Sequence, residues 1–109
     1  MNGIEFRAEV VGGRTDFRGA ALYGADLRGM NLRELDLQGA FLQGADLRQV
    51  YAPGTAFRGA CLRNADLRNA DLRNADLRMA KMAWANLRGA NVEGVRRWPY
   101  STTVNGETK

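Results

Sequence analysis

Large apolar residues recur at every fifth position through most of the chain. From Phe17 to Val92 this interval holds without a change of register over sixteen five-residue units, which span residues 15–94. The most regular stretch repeats Asn-Ala-Asp-Leu-Arg three times between residues 64 and 78. We call the middle residue of each unit its centre, and the centres are Phe17, Leu22, Leu27, Leu32, Leu37, Leu42, Leu47, Ala52, Phe57, Leu62, Leu67, Leu72, Leu77, Met82, Leu87 and Val92.

The positions around each centre follow a second pattern. The residue two places before the centre is Ala, Thr or Val in fourteen units, and the residue just before it is Asp or Asn in ten. Arg follows the centre in ten units, and Gly or Asn closes twelve. This alternation predicts that the small residue and the centre point inward while Asp and Arg point outward. Gly and Asn tolerate the backbone conformation that a corner requires.

A period of five fits neither a continuous strand nor an α-helix. On a strand, successive centres would point to opposite faces, and on a helix they would drift around the axis. The chain must therefore turn a corner once per unit, and repeated corners of one hand give a solenoid. Six units lack Asp or Asn before the centre, and four of these are spaced by twenty residues, at Ala21, Phe41, Cys61 and Lys81. That spacing favours four units per turn over three.

The repeated unit resembles that of the pentapeptide-repeat family, in which a small residue, Asp or Asn, Leu or Phe, a polar residue and Gly follow one another. The resemblance covers residues 15–94. It implies an all-β fold, a right-handed quadrilateral β-helix of about four coils. Burial of one large apolar side chain contributes roughly 1.5–3 kcal/mol. We therefore expect the fifteen centres other than Ala52 to form the core that stabilises the column.

Residues outside the repeat are predicted to cover its ends, because a solenoid needs its open ends closed. In residues 1–14, Ile4, Phe6, Ala8 and Val10 alternate with charged residues, which predicts a capping strand. Residues 95–109 are predicted to form a C-terminal cap, with Trp98 and Tyr100 over the last coil, followed by a polar tail. The family resemblance also makes a homodimer through the C-terminal end plausible.

One unit, residues 50–54, departs from the pattern. Its centre is Ala52, and Pro53 follows, which is expected to remove a hydrogen-bond donor from the ladder between coils. On the four-sided arrangement this unit lies between those of Leu32 and Leu72, and Met30 is expected to fill part of the gap. We interpret it as a tolerated irregularity, with a functional kink or ligand notch as the alternative.

The composition argues against an enzyme. The chain contains no His and one Ser, Ser101, so a nucleophile with a histidine base cannot be assembled. Cys61, the only cysteine, is interpreted as a small exposed residue, with a reactive thiol beside Arg63 as the alternative. The sequence has no phosphate-binding loop and no Cys/His metal spacing, and we expect no cofactor. A lone cysteine, a charged N-terminus and the lack of a membrane-length apolar run predict a cytoplasmic protein.

Two of the four predicted sides differ in composition. The Asp–Arg side, built on Leu27, Leu47, Leu67 and Leu87, stacks acidic or amide residues beside Arg28, Arg48, Arg68 and Arg88. It is interpreted as a solvated, ion-paired wall, with an Arg stripe for nucleic acid as the alternative. The aromatic side, built on Leu22, Leu42, Leu62 and Met82, has no acidic residue. Its candidate interaction patch is Tyr23, Phe41, Cys61, Arg63, Lys81 and Trp84. The alternative is that an end of the chain folds over it.

Two classes of function follow from these surfaces. The first is a non-enzymatic scaffold that offers the aromatic side to a protein partner. The second is implied by the family resemblance, since some members imitate double-stranded DNA and bind DNA gyrase or related topoisomerases. Such imitation needs an acidic surface, whereas the repeats hold eleven basic and nine acidic residues and the whole chain carries +4. The charge therefore favours the scaffold, and binding of nucleic acid itself is not expected.

Overall fold

A computed structural model describes residues 1–97 and, in the C-terminal segment, the backbone of residues 103–104 and 107–108. The described elements are one helix, α1 (Gly3–Val11), and four short strands, β1 (Asp76–Leu77), β2 (Arg96–Arg97), β3 (Thr103–Val104) and β4 (Glu107–Thr108). β1 pairs with β2 in parallel, and β3 pairs with β4 antiparallel. The predicted lid residues Trp98 and Tyr100 lie outside the described residues.

Parallel bridges between residues twenty apart hold the repeats together. They run from Asp16 and Asp36 at one end to Asp71 and Asn91 at the other, and β1 and β2 continue the same register. Two backbone hydrogen bonds accompany each bridge. The N–H of a centre donates to the carbonyl of the residue that precedes the centre one coil later. The N–H of that later residue donates back to the residue two places before the first centre. Leu27 donates to the Asp46 carbonyl at 2.8 Å, and Asp46 donates to the Ala25 carbonyl at 2.9 Å. Each turn of the solenoid therefore takes four units. This agrees with the twenty-residue spacing of the units that lack Asp or Asn before the centre.

Every unit closes on a residue in the left-handed backbone region. Nine of these sixteen corners are Gly, three are Asn, and all have φ between +58° and +73°. Gly adopts this conformation without a steric penalty, and Asn adopts it more readily than most residues. The four other corner residues are Glu34, Gln49, Met79 and Trp84.

The centres fill the inside of the column. Those from Phe17 to Leu77, together with Met82, are buried, and the residues two places earlier are buried or partly buried with them except for the exposed Thr15. The last two centres differ from the prediction: Leu87 is half-buried and Val92 is 47% exposed. Both belong to the last coil of the described repeats, where no further unit packs over them within the described residues. The inward pattern therefore weakens at this end.

The irregular unit leaves the ladder intact. Ala52 and Gly54 donate to the carbonyls of Asp71 and Arg73, both at 2.8 Å. In regular units the N–H after the centre donates to the carboxylate or amide of the same unit, not to the next coil; Arg73, for example, donates to Asp71 Oδ1 at 3.2 Å. The predicted loss of a ladder donor at Pro53 is therefore wrong. Tyr51 stands where regular units have the accepting Asp or Asn, and Pro53 has no backbone N–H to donate. The irregular unit therefore contains neither partner of that hydrogen bond, and no group is left unpaired.

The core that contains the small centre Ala52 also contains residues larger than the repeat usually supplies. Met30, Leu35 and Val50 occupy small-residue positions and are buried with Ala52. Thr55 is also buried, and its hydroxyl donates to the Leu32 carbonyl at 2.9 Å. The unit is therefore packed and hydrogen-bonded, as expected of a tolerated irregularity.

The N-terminal segment forms a helix, not the predicted strand. Asn2 caps α1, since its side chain accepts from the Glu5 N–H at 2.8 Å while Glu5 accepts from the Asn2 N–H at 3.1 Å. This reciprocal capping box stabilises a helix start. Gly3 and Phe6 are the buried residues of α1, and Ile4 is 81% exposed. The strand-like alternation of apolar residues therefore did not determine the secondary structure.

The helix and the residues around it close the first coil. Phe6 packs against the centre Phe17 with ring centroids 4.6 Å apart. Three carbonyls that face the open end receive donors: Ala21 from the Met1 amino group at 3.1 Å, Arg28 from Arg7 at 3.1 Å, and Asp16 from Arg14 at 2.8 Å. The segment thus acts as a cap that satisfies exposed polar groups of the ladder.

The corner geometry predicts that Trp84→Gly stabilises the protein. A left-handed non-glycine residue costs about 1–2 kcal/mol, against about 0.5–1 kcal/mol for the greater freedom of unfolded Gly. We expect a net gain of about 0.5–1 kcal/mol, measured by thermal or urea unfolding. The matched control is Gly44→Ala in the same corner row, where no atom lies within 4 Å of the added Cβ. It should destabilise through backbone strain alone, and equal stability of both variants with the wild type would contradict this reasoning.

Candidate interaction surface

The aromatic side carries two parallel rows of outward side chains. Hydrogen-bonded bridges place Ala21, Phe41, Cys61 and Lys81 in one row. The ladder places Tyr23, Gln43, Arg63 and Ala83 in the other, with the N–H groups of the corners donating between coils at 2.9–3.0 Å. The side is therefore continuous, and its residues cannot shift relative to one another without breaking the ladder.

An exposed aromatic pair lies at the N-terminal half of this side. The rings of Tyr23 and Phe41 stack with centroids 5.7 Å apart and planes inclined by 24°. Tyr23 is 59% exposed and Phe41 is 42% exposed. Because each ring is held by the other and by a rigid backbone, the pair offers a preorganised apolar surface.

The C-terminal half of the same side is basic. Cys61 is half-buried and free, while Arg63 and Lys81 are exposed. Neither Arg63 nor Lys81 forms an ion pair with any residue in the described part of the chain. These two cations therefore keep their full charge available to another molecule.

Trp84 stands apart from the stacked pair. It occupies a corner at the edge of the aromatic side, is 62% exposed and has a left-handed backbone. The structure thus brings five of the six predicted patch residues into the two rows and places Trp84 at their margin. The N-terminal residues reach only the Ala21–Tyr23 end of the rows and leave the stacked pair exposed. The alternative that the C-terminal end covers the patch falls outside the described residues.

This surface extends onto the N-terminal cap, which the sequence pattern did not predict. Met1 and Ile4 line a shallow groove of about 880 Å³ together with Tyr23 and Ala21. Both Met1 and Ile4 are exposed apolar residues. The predicted strand placed Ile4 on its apolar face, so the exposure of this residue was not expected. The capping box of Asn2 and Glu5 was the signal that could have predicted the helix and exposed Ile4.

One polar atom within the rows has no internal partner. Gln43 lies between Tyr23 and Arg63, and its Oε1 is shielded from solvent without a donor among the described residues. A buried acceptor without a donor costs free energy. The polar groups of this side are therefore not fully satisfied by the described chain itself.

The Asp–Arg side has the opposite character. Arg48 donates to Asp46 through two nitrogens at 2.9 and 2.7 Å, and it also lies 3.7 Å from Asp66 in the next coil. The pairs Asp26–Arg28 and Asp66–Arg68 repeat the same two-pronged contact. Three Asp–Arg pairs therefore neutralise most of the charge on this wall, and Arg88, whose unit has Asn86 in place of Asp, adds one positive charge at its end. The pairs support the interpretation of a solvated, ion-paired surface.

The ion pairs lower the pKa of the aspartates that take part in them. The hydrogen bond from Arg18 is the largest cause for Asp16, and the bond from Arg78 is the largest for Asp76, and each pKa falls to about 2. The pKa values of Asp46, Asp66 and Asp71 are lowered by Arg48, Arg68 and Arg73 in the same way. These carboxylates remain ionised well below neutral pH.

Metal clusters and membrane-spanning helices are both absent from the described residues. No group of three or more His, Cys, Asp or Glu side chains in them is arranged to hold a metal ion. No helix in the same part of the chain is both long and apolar enough to cross a bilayer.

This chain belongs to the pentapeptide repeat family. The sequence model of that family, Pentapeptide repeats, matches residues 13–49 and 54–89 in eight copies. The interruption at residues 50–53 coincides with the irregular unit around Ala52. None of the curated proteins compared with the chain matches it.

Solved pentapeptide repeat proteins share the fold. A pentapeptide repeat protein from the Arabidopsis thaliana thylakoid lumen is 29% identical, with a TM-score of 0.61 over 85% of this chain and 63% of its own. HetL, a pentapeptide repeat protein involved in heterocyst differentiation regulation from the cyanobacterium Nostoc, is 35% identical, with a TM-score of 0.56 over 87% of this chain and 38% of its own. The chain thus spans less than two thirds of either protein.

The lowered aspartate pKa values predict an acid-sensitive fold. A carboxylate whose pKa is lower when folded contributes stability above its unfolded pKa of about 3.9, and that stability is lost as the pH falls through the folded value. We expect the melting temperature to be flat from pH 8 to pH 5 and to fall between about pH 4 and about pH 2.

Two arginine variants separate this effect from general acid unfolding. Arg68→Gln removes the partner of Asp66 and should make the melting temperature less dependent on pH. Arg63→Gln is the matched control, because Arg63 pairs with no carboxylate among the described residues, and it should leave the pH profile unchanged. Identical profiles for the two variants would contradict the assignment of acid sensitivity to the Asp–Arg pairs.

Proposed function

We propose that this protein is a non-enzymatic β-helical scaffold that binds a protein partner through its aromatic side. The observation that carries the proposal is the stacked, exposed Tyr23–Phe41 pair on a side without any acidic residue. Exposed aromatic and Arg side chains are enriched where proteins bind one another. The apolar residues Met1 and Ile4 extend the same surface.

The architecture suits recognition by side chains. The backbone groups of the walls are used in the ladder between coils, so a partner strand has no free edge along the aromatic side. The rows are held rigidly, and binding to a preorganised surface costs little conformational entropy. We infer a right-handed quadrilateral column of about four coils, which the twenty-residue register supports.

We further propose that the protein performs no chemistry and functions in a reducing cytoplasm. The absence of His from the sequence and of metal-binding clusters from the described residues is compatible with a protein that performs no chemistry. A single free cysteine is compatible with a reducing cytoplasm. The involvement of HetL in a regulatory process is likewise compatible with a binding function for this chain.

Imitation of DNA receives no support from the surface. A DNA mimic must present carboxylates in place of phosphates, yet six aspartates are paired with arginines two residues later. Residues 55–97 hold nine basic and four acidic residues. A surface of this sign is poorly suited to the positively charged DNA-binding surface of a topoisomerase.

The proposal predicts that the double variant Phe41→Asp, Trp84→Asp loses its partner without losing its fold. Both side chains are exposed, so the melting temperature should change by no more than about 2 °C. Proteins captured from an extract of the source cells by the immobilised wild type should be absent with this variant. The matched control, Arg33→Asp on the opposite side, should retain them.

Two outcomes would contradict the proposal. Unchanged capture by the double variant would move the interface away from the aromatic side, and a large loss of stability would mean that the chain itself covers these residues. A gyrase supercoiling assay provides the second test. Inhibition or protection from a quinolone, without a shift of DNA on a gel, would favour the topoisomerase-modulator alternative over the scaffold.

A further inference from the structure

Three basic residues belong to neighbouring units in which the residue before the centre is neither Asp nor Asn. Arg63 and Lys81 lie on the aromatic side in successive coils, and Arg58 lies in the unit just before that of Arg63. The position before the centre is Ala56 in the unit of Arg58 and Cys61 in the unit of Arg63, where other units have Asp. None of the three cations has an ion-pair partner within the described structure.

We propose that the partner of the aromatic side is an acidic amphipathic helix, an inference that rests on the proposed function. The apolar residues of this helix cover Tyr23 and Phe41, and its carboxylates pair with Arg63 and Lys81. Arg58 adds attraction from the neighbouring side.

The protein itself shows the contact that the partner would complete. In six units Arg meets the carboxylate two residues earlier, and in Arg68 the Nε and Nη2 atoms lie 2.9 and 2.6 Å from the Asp66 oxygens. Arg63 occupies the same position in its unit but has Cys61 in place of Asp. A carboxylate from a partner therefore fits where the repeat usually supplies its own, and two-pronged Arg–carboxylate contacts are among the stronger polar contacts in proteins.

The spacing of the rows favours a helix along the column. Neighbouring coils lie about 4.8 Å apart, and one helical turn rises about 5.4 Å. A helix along the rows therefore places about one side chain per turn over each coil. Phe41 and Lys81 are two coils apart, which corresponds to an apolar and an acidic residue about seven positions apart on the helix. A helix also satisfies its own backbone, which suits a wall without a free edge.

The charge of the surface disfavours the other occupants. A two-fold dimer through the aromatic side brings Arg63 and Lys81 of both copies into the interface without any carboxylate, because the side has none. Burial of unpaired cations is costly. The phosphate backbone of a nucleic-acid duplex would pair with the cations but would leave the exposed rings of Tyr23 and Phe41 without an apolar partner. An acidic amphipathic segment covers the rings and also supplies the missing charge.

The test is a selection from a phage library of helices with one randomised face. The full-length protein serves as bait, and counter-selection on the Phe41→Asp variant removes binders that do not need the aromatic side. We expect the surviving sequences to combine large apolar residues with Asp or Glu one to two turns away. Arg63→Glu should weaken a selected binder at least tenfold, whereas the matched control Arg33→Glu on the opposite side should change its affinity less than twofold.

The remaining outcomes distinguish this inference from the proposed function. Surviving binders that are neutral or basic would overturn the acidic partner while leaving the aromatic side as an interface. No binder surviving counter-selection would overturn both. Sedimentation as a dimer that Phe41→Asp converts to a monomer would identify a second copy as the occupant. A gel shift of a 20-base-pair duplex that Arg63→Glu abolishes would identify nucleic acid, and either result would overturn the proposal.

Discussion

The left-handed corner at every fifth residue is the constraint on which the rest of this structure depends. With φ near +60° to +70° at each corner, four short segments turn through one coil and return the chain to its starting direction. Residue i then lies beside residue i+20, and two backbone hydrogen bonds per segment fix that register. The cost of a non-glycine residue at a corner is local, whereas the ladder and the buried centres act along the whole column.

This geometry separates the residues that stabilise the fold from those available for binding. Because the centre points inward and the residue after it points outward, Leu62 is buried while the neighbouring Arg63 is exposed. The outward positions are consequently free to vary among the four sides. On the Asp–Arg side, the aspartates pair with arginines. On the aromatic side, the stacked rings are exposed, and the cations have no ion-pair partner among the described residues. Function is therefore best sought where the acidic residue of the repeat is missing.

Much of this could be predicted from sequence because the repeat reports its own geometry many times. The period, the small residues and the buried centres each recur in most units, so single exceptions such as Ala52 do not obscure the register. The candidate patch followed from the same register, since Phe41 and Cys61 occupy positions one coil apart. The family assignment and the shared fold of HetL agree with this part of the prediction.

The predictions that failed concern features that are not repeated along the chain. Nine residues of α1 gave a strand-like alternation, and the capping box between Asn2 and Glu5 outweighed it. The role of Pro53 depended on knowing that the N–H after a centre bonds within its own unit, which the sequence does not state. The exposure of Val92 depended on its place in the last described coil, where nothing described packs over it. Each of these required a contact between segments that no repetition in the sequence revealed.

The most direct test of the account compares two adjacent substitutions, Leu62→Asp and Arg63→Asp, by thermal unfolding. The account predicts that a charge at the buried Leu62 abolishes the cooperative transition, because an unpaired charge is costly in an apolar core. The same charge at the exposed Arg63 should leave the melting temperature nearly unchanged. A cooperative, wild-type transition in Leu62→Asp, or an equal loss of stability in both variants, would contradict the separation of the inward column from the outward side.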